Sequence, residues 1–118
     1  MKKQKVNILG SDWEVVEGNS TEYPTLMGCD GYTDSSVKRL VINSMDDFEK
    51  DAEAKADLKA YKRQVIRHEL IHAFLEESGL STNTTCFTAW AASEEIVDWI
   101  AIQTPKIYRA CEQLGVLQ

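Results

Sequence analysis

The chain is poor in the residue types that mark several classes of protein. Its 118 residues include two histidines, two prolines and three cysteines. The cysteines are odd in number and form no Cys-x-x-Cys pair, so we expect free thiols and a reducing compartment. No apolar run approaches the roughly 20 residues that cross a bilayer. These absences argue against a disulfide-stabilised secreted domain and against a membrane-embedded protein.

Basic charge is also scarce, because 13 Lys and Arg residues face 19 Asp and Glu residues and the net charge is −6. Nonspecific nucleic-acid binding needs a basic surface, so we expect no nucleic-acid partner. The basic cluster on one segment is predicted to be a solvated helix face: Lys59, Lys62, Arg63 and Arg67.

The N-terminal run MKKQKVNILG is basic and then briefly apolar, but it stops at Gly10 and Asp12 follows. This pattern fails as a signal peptide, so we expect a cytoplasmic protein without a membrane partner. The length is near the most common size of one compact domain, and residues 1–118 are predicted to form a single domain.

The first third of the chain favours strands. Residues Lys5 to Glu17 are typical of a hairpin with a type II′ turn at Gly10-Ser11. A third strand is predicted at Lys38–Asn43, after a turn-rich connection with room for a short strand near Leu26–Cys29. We expect a small antiparallel sheet of about three strands, with Lys38–Asn43 at its edge, where an extended substrate could add main-chain hydrogen bonds.

The remainder favours helices. Ser44 is a plausible N-cap, with a break near Asp51–Ala54, and a long helix is then expected to run to Ser78 before Gly79. Further helices are predicted at about Thr88–Gln103 and from Thr104-Pro105 to just before Gly115. Strands followed by helices indicate an α+β domain with its helices on one face of the sheet.

The long helix carries the run His68-Glu69-Leu70-Ile71-His72. Residues four apart lie one helical turn from each other, so both imidazoles can bind one ion while Glu69 faces a metal-bound water. An inward stripe with spacings of three and four contains both histidines: Leu58, Tyr61, Val65, His68, His72 and Leu75. Buried imidazoles need polar partners, and a metal ion would supply one. The alternative is a pair of hydrogen-bonded core histidines beside a chance glutamate.

A catalytic Zn²⁺ usually has three protein ligands, and the chain has no third histidine. The third ligand is therefore a carboxylate or, less favoured, Cys86 ahead of the next helix. Glu94 is preferred over Glu95, because Glu94 alone has an acid, Asp98, one turn further on. Asp98 is expected to accept the second ring N–H of a ligand histidine. The opposing interpretation places these acids on a solvated helix surface.

With these residues identified, the chain resembles the gluzincins, zinc peptidases in which the His-Glu-x-x-His helix is followed by an Asn-Glu-x-x-x-Asp motif. The corresponding run here is Ser93-Glu94-Glu95-Ile96-Val97-Asp98, with serine in place of asparagine. The chain looks most like the minimal, phage- or prophage-encoded members, with a looser likeness to ImmA/IrrE-type proteases that act on repressors. The resemblance implies a zincin-like domain with His68, His72 and Glu94 as Zn²⁺ ligands, Glu69 as general base and Asp98 behind the ligands.

Zinc-dependent peptide hydrolysis is thus the expected function, with a peptide or protein, including a regulatory protein, as substrate. Larger gluzincins add a tyrosine or histidine that stabilises the oxyanion. Tyr61, Tyr108 and Arg109 are the candidates here, and the sequence does not choose among them. The loop from Gly18 to Asp34 could cover the cleft, with Cys29 or Asp30 capping the ion. The competing hypothesis is a zinc-binding regulatory or interaction module that does not cleave peptides.

Overall fold

A computed structural model describes residues 3–46, 56–81 and 92–117. It contains four strands and two long helices: β1 (Lys3–Ile8), β2 (Ser11–Gly18), β3 (Gly31–Asp34), β4 (Arg39–Asn43), α1 (Leu58–Glu77) and α2 (Glu94–Leu114). The predicted α+β class is confirmed. The sheet differs from the expectation in having four strands and mixed pairing.

The N-terminal hairpin forms as predicted, but its turn lies one residue earlier. Ile8 pairs with Ser11, so the turn residues are Leu9 and Gly10, and both have positive φ. Positive φ at both positions is the type I′ conformation, which matches the twist of the flanking strands better than most turns. Asn7 stabilises it by accepting a hydrogen bond from the Gly10 N–H. The shift keeps Ile8 in the core and leaves Leu9 exposed.

The prediction of an entirely antiparallel sheet with Lys38–Asn43 at the edge is wrong. The strand order is β1-β2-β4-β3, and β4 pairs parallel with β2 and antiparallel with β3. Leu40, Val41 and Ile42 are all buried, so β4 is apolar on both faces, as a central strand must be. The edge beside β4 is β3. The strand expected at Leu26–Cys29 is instead a 3-10 helix, Pro24–Met27.

The two faces of the sheet carry separate clusters. Leu40 and Ile42 point to the α1 side, where they join a larger cluster that includes Ile8, Trp13, Val15, Met45, Val65 and Ala73. Val41 points to the other side and packs with Val16 and Leu26. The segment around the 3-10 helix therefore covers the face of the sheet opposite α1. The chain then continues into β3, which lies beside α1.

Helix α1 ends as predicted: Ser78 is its C-cap, and the next residue, Gly79, has a positive φ of 87°. It begins at Leu58, where the Asp57 side chain accepts the Ala60 N–H. The helix predicted from Ser44 falls largely on residues 47–55, outside the described residues. It does not begin directly at Ser44, because Met45 has a positive φ of 64°.

The two C-terminal helices expected from the sequence are one helix in the structure. Ser93 has an extended backbone and caps α2 by accepting the Ile96 N–H, so α2 starts at Glu94; residues 88–91 of the predicted helix lie outside the described residues. Pro105 lies inside α2 and does not start a new helix. The end before Gly115, at φ 66°, is confirmed. Neither described helix combines the length and apolarity that a membrane span requires.

A polar network ties the end of α1 to the sheet. The Glu77 carboxylate accepts hydrogen bonds from the Trp13 indole at 3.0 Å and from the Lys38 ammonium at 2.8 Å. The bond from Lys38, with those from Ser11 and Trp13, lowers the pKa of Glu77 to about 2. Glu77 therefore stabilises the fold when it is ionised.

We expect the Glu77 contribution to be complete above its ordinary pKa of 4.5 and lost as the pH falls towards 2. Urea unfolding at pH 6 and pH 3 should show Glu77→Gln less stable than wild type at pH 6, with a smaller difference at pH 3. Glu112→Gln, which removes an exposed carboxylate on α2, is the control. An equal loss of unfolding free energy in Glu77→Gln at both pH values would contradict the role of the ionised Glu77 carboxylate.

Candidate metal centre

Helix α1 brings His68 and His72 together at the border between α1 and α2. The two Nε2 atoms lie 3.1 Å apart, and the side chains are 13% and 19% exposed. The buried face of α1 differs from the predicted stripe. Its buried residues are Val65, Glu69, Ala73 and Leu75, so Glu69 and Ala73 are buried and the two histidines are not at its centre. The histidines therefore lie at the rim of the core, where their ring nitrogens can reach a shared ligand.

Among the described residues, Glu69 is the one charged residue that is buried, and 6% of its surface is exposed. Its Oε1 accepts a hydrogen bond from the Thr33 hydroxyl at 2.9 Å, and the same hydroxyl lies 3.1 Å from the Glu69 carbonyl oxygen. Its Oε2 lies 3.8 Å from His68 Nε2. Burial raises the pKa of Glu69 above its usual value, and the bond from Thr33 opposes that rise. The carboxylate is thus held beside the histidines by strand β3.

Helix α2 supplies a carboxylate that reaches both imidazoles. Capping by Ser93 starts α2 so that Glu94 is its first residue. Glu94 Oε2 lies 2.8 Å from His68 Nε2, and Oε1 lies 2.9 Å from His72 Nε2. Glu95, the alternative carboxylate, is exposed and is not part of this group. The acid that meets the histidines is therefore Glu94.

Asp98 lies one turn further along α2 and reaches the other side of the His68 ring. Its Oδ1 is 2.6 Å from His68 Nδ1. A carboxylate accepts only, so His68 donates its Nδ1–H to Asp98, and in the neutral ring the lone pair is then on Nε2. In the neutral ring that lone pair faces Glu94, whereas a protonated ring would donate its Nε2–H to the Glu94 carboxylate. Metal-binding histidines are oriented by the same kind of hydrogen bond on their second nitrogen.

The three side chains fit a metal ion. His68 Nε2, His72 Nε2 and a Glu94 oxygen lie within 4.8 Å of one another. Ligand atoms 2.0–2.1 Å from a tetrahedral Zn²⁺ are about 3.3 Å apart, close to the separations seen here. A nitrogen lone pair and a carboxylate oxygen repel each other at 2.8 Å unless a proton or a cation lies between them. Two imidazoles and one carboxylate are also a donor set that Zn²⁺ prefers in catalytic sites.

A cleft between β3, α1 and the start of α2 surrounds this group. On one side a cavity of about 320 Å³ is lined by Cys29, Asp30, Gly31, Tyr61, Gln64, Val65, His68, Glu69, Glu94 and Asp98. On the other, a cavity of about 280 Å³ is lined by Gly31, Tyr32, Thr33, Glu69, His72, Glu76 and Glu94. The two share Gly31, Glu69 and Glu94, so the cleft passes over the candidate metal centre.

Glycine at position 31 allows β3 to approach α1 closely. A Cβ at Gly31 would lie 2.8 Å from Val65 Cγ1 and 3.2 Å from Glu69 Cγ, and the first distance is too short for real atoms. A larger residue would push the strand away from the helix and move Thr33 away from Glu69. The close contact between strand and helix is therefore part of how the site is built.

The oxyanion candidates are separated by the fold. Tyr61 lines the cleft and donates a hydrogen bond to Asp30, and burial with that bond raises its pKa to about 12. Tyr108 and Arg109 are exposed. They lie about 20 Å from Glu94 along α2, at 1.5 Å per residue. Asp30 and Cys29 also line the cleft, but the Asp30 carboxylate binds Tyr61 and the Cys29 thiol contacts the Thr25 carbonyl. Cys86 lies outside the described residues.

Thr33 and Gly31 belong to the site although no sequence pattern predicts them. Thr33 meets Glu69 across 36 positions of the chain, and a single threonine in a turn-rich stretch carries no pattern that indicates such a contact.

The solvated face predicted for the basic cluster is confirmed for Lys59 and Arg63, which are exposed. It is wrong for Arg67, which is half-buried and donates to the Ala101 carbonyl on α2, and for Lys62, which is half-buried and forms an ion pair with Glu17. Comparison with models of protein families, with curated proteins and with solved structures gives no match to this chain.

Proposed function

We propose that this protein is a zinc-dependent hydrolase that cleaves peptide bonds. The observation that carries the proposal is the convergence of His68, His72 and Glu94 with the buried Glu69 beside them. Three ligands leave one position of a tetrahedral ion for water, which is the arrangement of catalytic zinc sites. The gluzincin-like order of the motifs agrees with this assignment.

Glu69 is suited to be the general base. Its Oε2 lies 3.8 Å from His68 Nε2, so the carboxylate can reach a water held beside the histidines. Bound zinc would lower the pKa of a water to about 7 and polarise the substrate carbonyl. Glu69 would take a proton from the attacking water as the water oxygen bonds to the carbonyl carbon. It would pass that proton to the amine nitrogen as the C–N bond breaks, while the Thr33 hydroxyl holds the carboxylate in place.

The edge strand β3 is suited to bind the substrate main chain. One side of β3 pairs with β4, and its other side borders the cleft with Gly31, Tyr32 and Thr33. An extended peptide can add to such an edge as another strand, with its scissile bond near the ligands. Among the three oxyanion candidates, Tyr61 is the one that lines the cleft. To stabilise an oxyanion, its hydroxyl would have to exchange the hydrogen bond to Asp30 for one to the substrate.

The metal requirement tests the proposal directly. Protein purified without chelators should contain about one zinc per chain, and removal of that zinc should abolish hydrolysis of a mixed peptide library. Added Co²⁺ should restore activity and give the absorption spectrum of a four- or five-coordinate ion with nitrogen and oxygen ligands. Protein that binds neither Zn²⁺ nor Co²⁺ would contradict the proposal.

The charge of the cleft favours a cationic substrate. Its described lining contains five carboxylates and neither lysine nor arginine: Asp30, Glu69, Glu76, Glu94 and Asp98. Glu76 lies one turn beyond His72 on α1, beside Tyr32 and Thr33 of the edge strand. It is placed to contact a substrate side chain next to the scissile bond.

We expect Glu76→Lys to reverse a preference for Lys or Arg beside the scissile bond. A change of about tenfold in the ratio of kcat/KM for basic and acidic peptides corresponds to ~1.4 kcal/mol, an ordinary value for charges a few ångströms apart near a surface. Peptides that differ only at the flanking position measure the ratio. Glu112→Lys, an exposed charge reversal on α2, should leave it unchanged. An unaltered ratio in Glu76→Lys would contradict this role.

A further inference from the structure

Pro105 leaves one backbone carbonyl of α2 without its helical partner. In an α-helix the carbonyl of residue 101 accepts the N–H of residue 105, and proline has no N–H. The proline ring also crowds the carbonyl four residues before it. Ala101 is completely buried, so its carbonyl oxygen must find another donor.

Arg67 of α1 supplies that donor. Its Nε lies 2.7 Å from the Ala101 carbonyl oxygen, a short hydrogen bond from a charged group. Arg67 immediately precedes His68, and its side chain is half-buried between the helices. Because Pro105 has no N–H, the Ala101 carbonyl of α2 is left to accept a hydrogen bond from Arg67, the residue before His68.

The bond lies on the same side of α2 as the candidate ligand. Ala101 follows Glu94 by seven residues, which is about two turns and about 10 Å along the helix. Asp98 lies between the two, and Val97 and Ala101 form the buried surface of α2. A second contact at this distance limits both rotation of α2 about its axis and sliding along α1. Either movement would carry Glu94 away from the histidines.

We propose that Arg67, through the carbonyl freed by Pro105, is a positioning residue that holds Glu94 and Asp98 at the metal centre. The proposal rests on the proposed function in that Glu94 binds the metal. The Arg67 guanidinium bonds the Ala101 carbonyl and makes no hydrogen bond or ion pair with the side chains of His68, His72 or Glu94. It docks α2 so that the carboxylate meets both imidazoles before the ion binds, and the metal does not have to pull α2 into place.

Zinc affinity tests the proposal through competition with a chromophoric chelator. Arg67→Ala should weaken zinc binding by about 10- to 100-fold, the usual effect of residues that orient ligands. Arg67→Lys keeps a cationic donor and should recover part of the loss. Arg63→Ala removes an exposed arginine one turn earlier on α1 and should bind zinc as wild type does. Equal zinc affinity in Arg67→Ala and Arg63→Ala would overturn the proposal.

Pro105→Ala separates positioning from simple stabilisation. The new N–H can bond the Ala101 carbonyl within α2, and alanine is a better helix former than proline. We expect the helix to gain stability while zinc affinity falls, because the new N–H competes with Arg67 for the Ala101 carbonyl. The Arg67→Ala, Pro105→Ala double variant should bind zinc no more weakly than the weaker single variant, since both changes remove one contact. If the two losses of zinc affinity multiply in the double variant, Arg67 and Pro105 do not act through the same contact, and the proposal is overturned.

Hydrogen exchange on the zinc-free protein distinguishes failure of this proposal from failure of the proposed function. Amides of α2 between residues 97 and 104 should exchange faster in Arg67→Ala than in Arg63→Ala. Unchanged exchange would overturn the docking role of Arg67. A wild-type protein that binds no zinc would overturn the proposed function, and faster exchange in Arg67→Ala would then still support the docking of α2 by Arg67.

Discussion

Glu69→Gln should lower kcat/KM for peptide hydrolysis by about 10²- to 10⁴-fold, the usual contribution of a positioned general base. The amide has the shape of the carboxylate and can still accept the Thr33 hydroxyl bond, but it cannot take a proton from water. Folding and zinc content should therefore stay close to those of wild type. Steady-state kinetics, with zinc analysis and the unfolding midpoint on the same preparations, measure the three quantities.

Glu76→Gln is the matched control, because it neutralises a carboxylate on the same helix and in the same cleft. It should retain activity towards peptides without charged flanking residues. Full hydrolysis by Glu69→Gln would contradict the assignment of Glu69 as base. If Glu69→Gln preserved the biological activity of the protein, the regulatory zinc-binding module would be the better account.

Glu94→Gln and Glu95→Gln should differ sharply although the residues are neighbours. Both carboxylates are exposed, but Glu94 reaches both Nε2 atoms within 3 Å, whereas Glu95 is not part of the group that could hold a metal ion. Loss of a charged ligand should weaken zinc binding by about 10²-fold or more, beyond the 10- to 100-fold typical of residues behind the ligands. Chelator competition should therefore show a large loss for Glu94→Gln and wild-type affinity for Glu95→Gln.

Asp98→Asn extends the same comparison to the residue that orients His68. An amide can present its oxygen to the Nδ1–H but carries no charge, so an intermediate loss of about tenfold is expected. Equal affinities for Glu94→Gln and Glu95→Gln would contradict the ligand assignment. A loss confined to Glu95→Gln would reverse the choice between the two acids.

Local pattern was sufficient for much of the fold. The hairpin, the end of α1 at Ser78-Gly79 and the end of α2 before Gly115 each depend on residues a few positions apart. Two predictions were wrong where the local sequence is compatible with two structures. Leu9-Gly10 and Gly10-Ser11 both allow a two-residue turn, and burial of Ile8 selects the first. Pro105 is typical of a helix start, but the donor from Arg67 lets it lie within α2.

The site divides in the same way. His68, Glu69 and His72 lie on consecutive turns of one helix, so their juxtaposition follows from helical geometry alone. The sequence predicts Glu94 and Asp98 as a pair because they too are one turn apart. How the two pairs meet depends on the crossing of α1 and α2, which no local spacing specifies. Thr33 could not be foreseen, because only the pairing of β3 with β4 brings it to Glu69.

The sequence by itself determined the motif on α1, the choice of acids on α2 and the α+β class, since these follow from spacing and hydrophobic periodicity along single elements. The tertiary structure decided that β4 is central and β3 is the edge. It also decided that Glu69 is buried against Thr33, and that Arg67 holds α2 by the carbonyl that Pro105 leaves free. Those features depend on contacts between segments far apart in the chain, whose energies arise only when sheet and helices pack together.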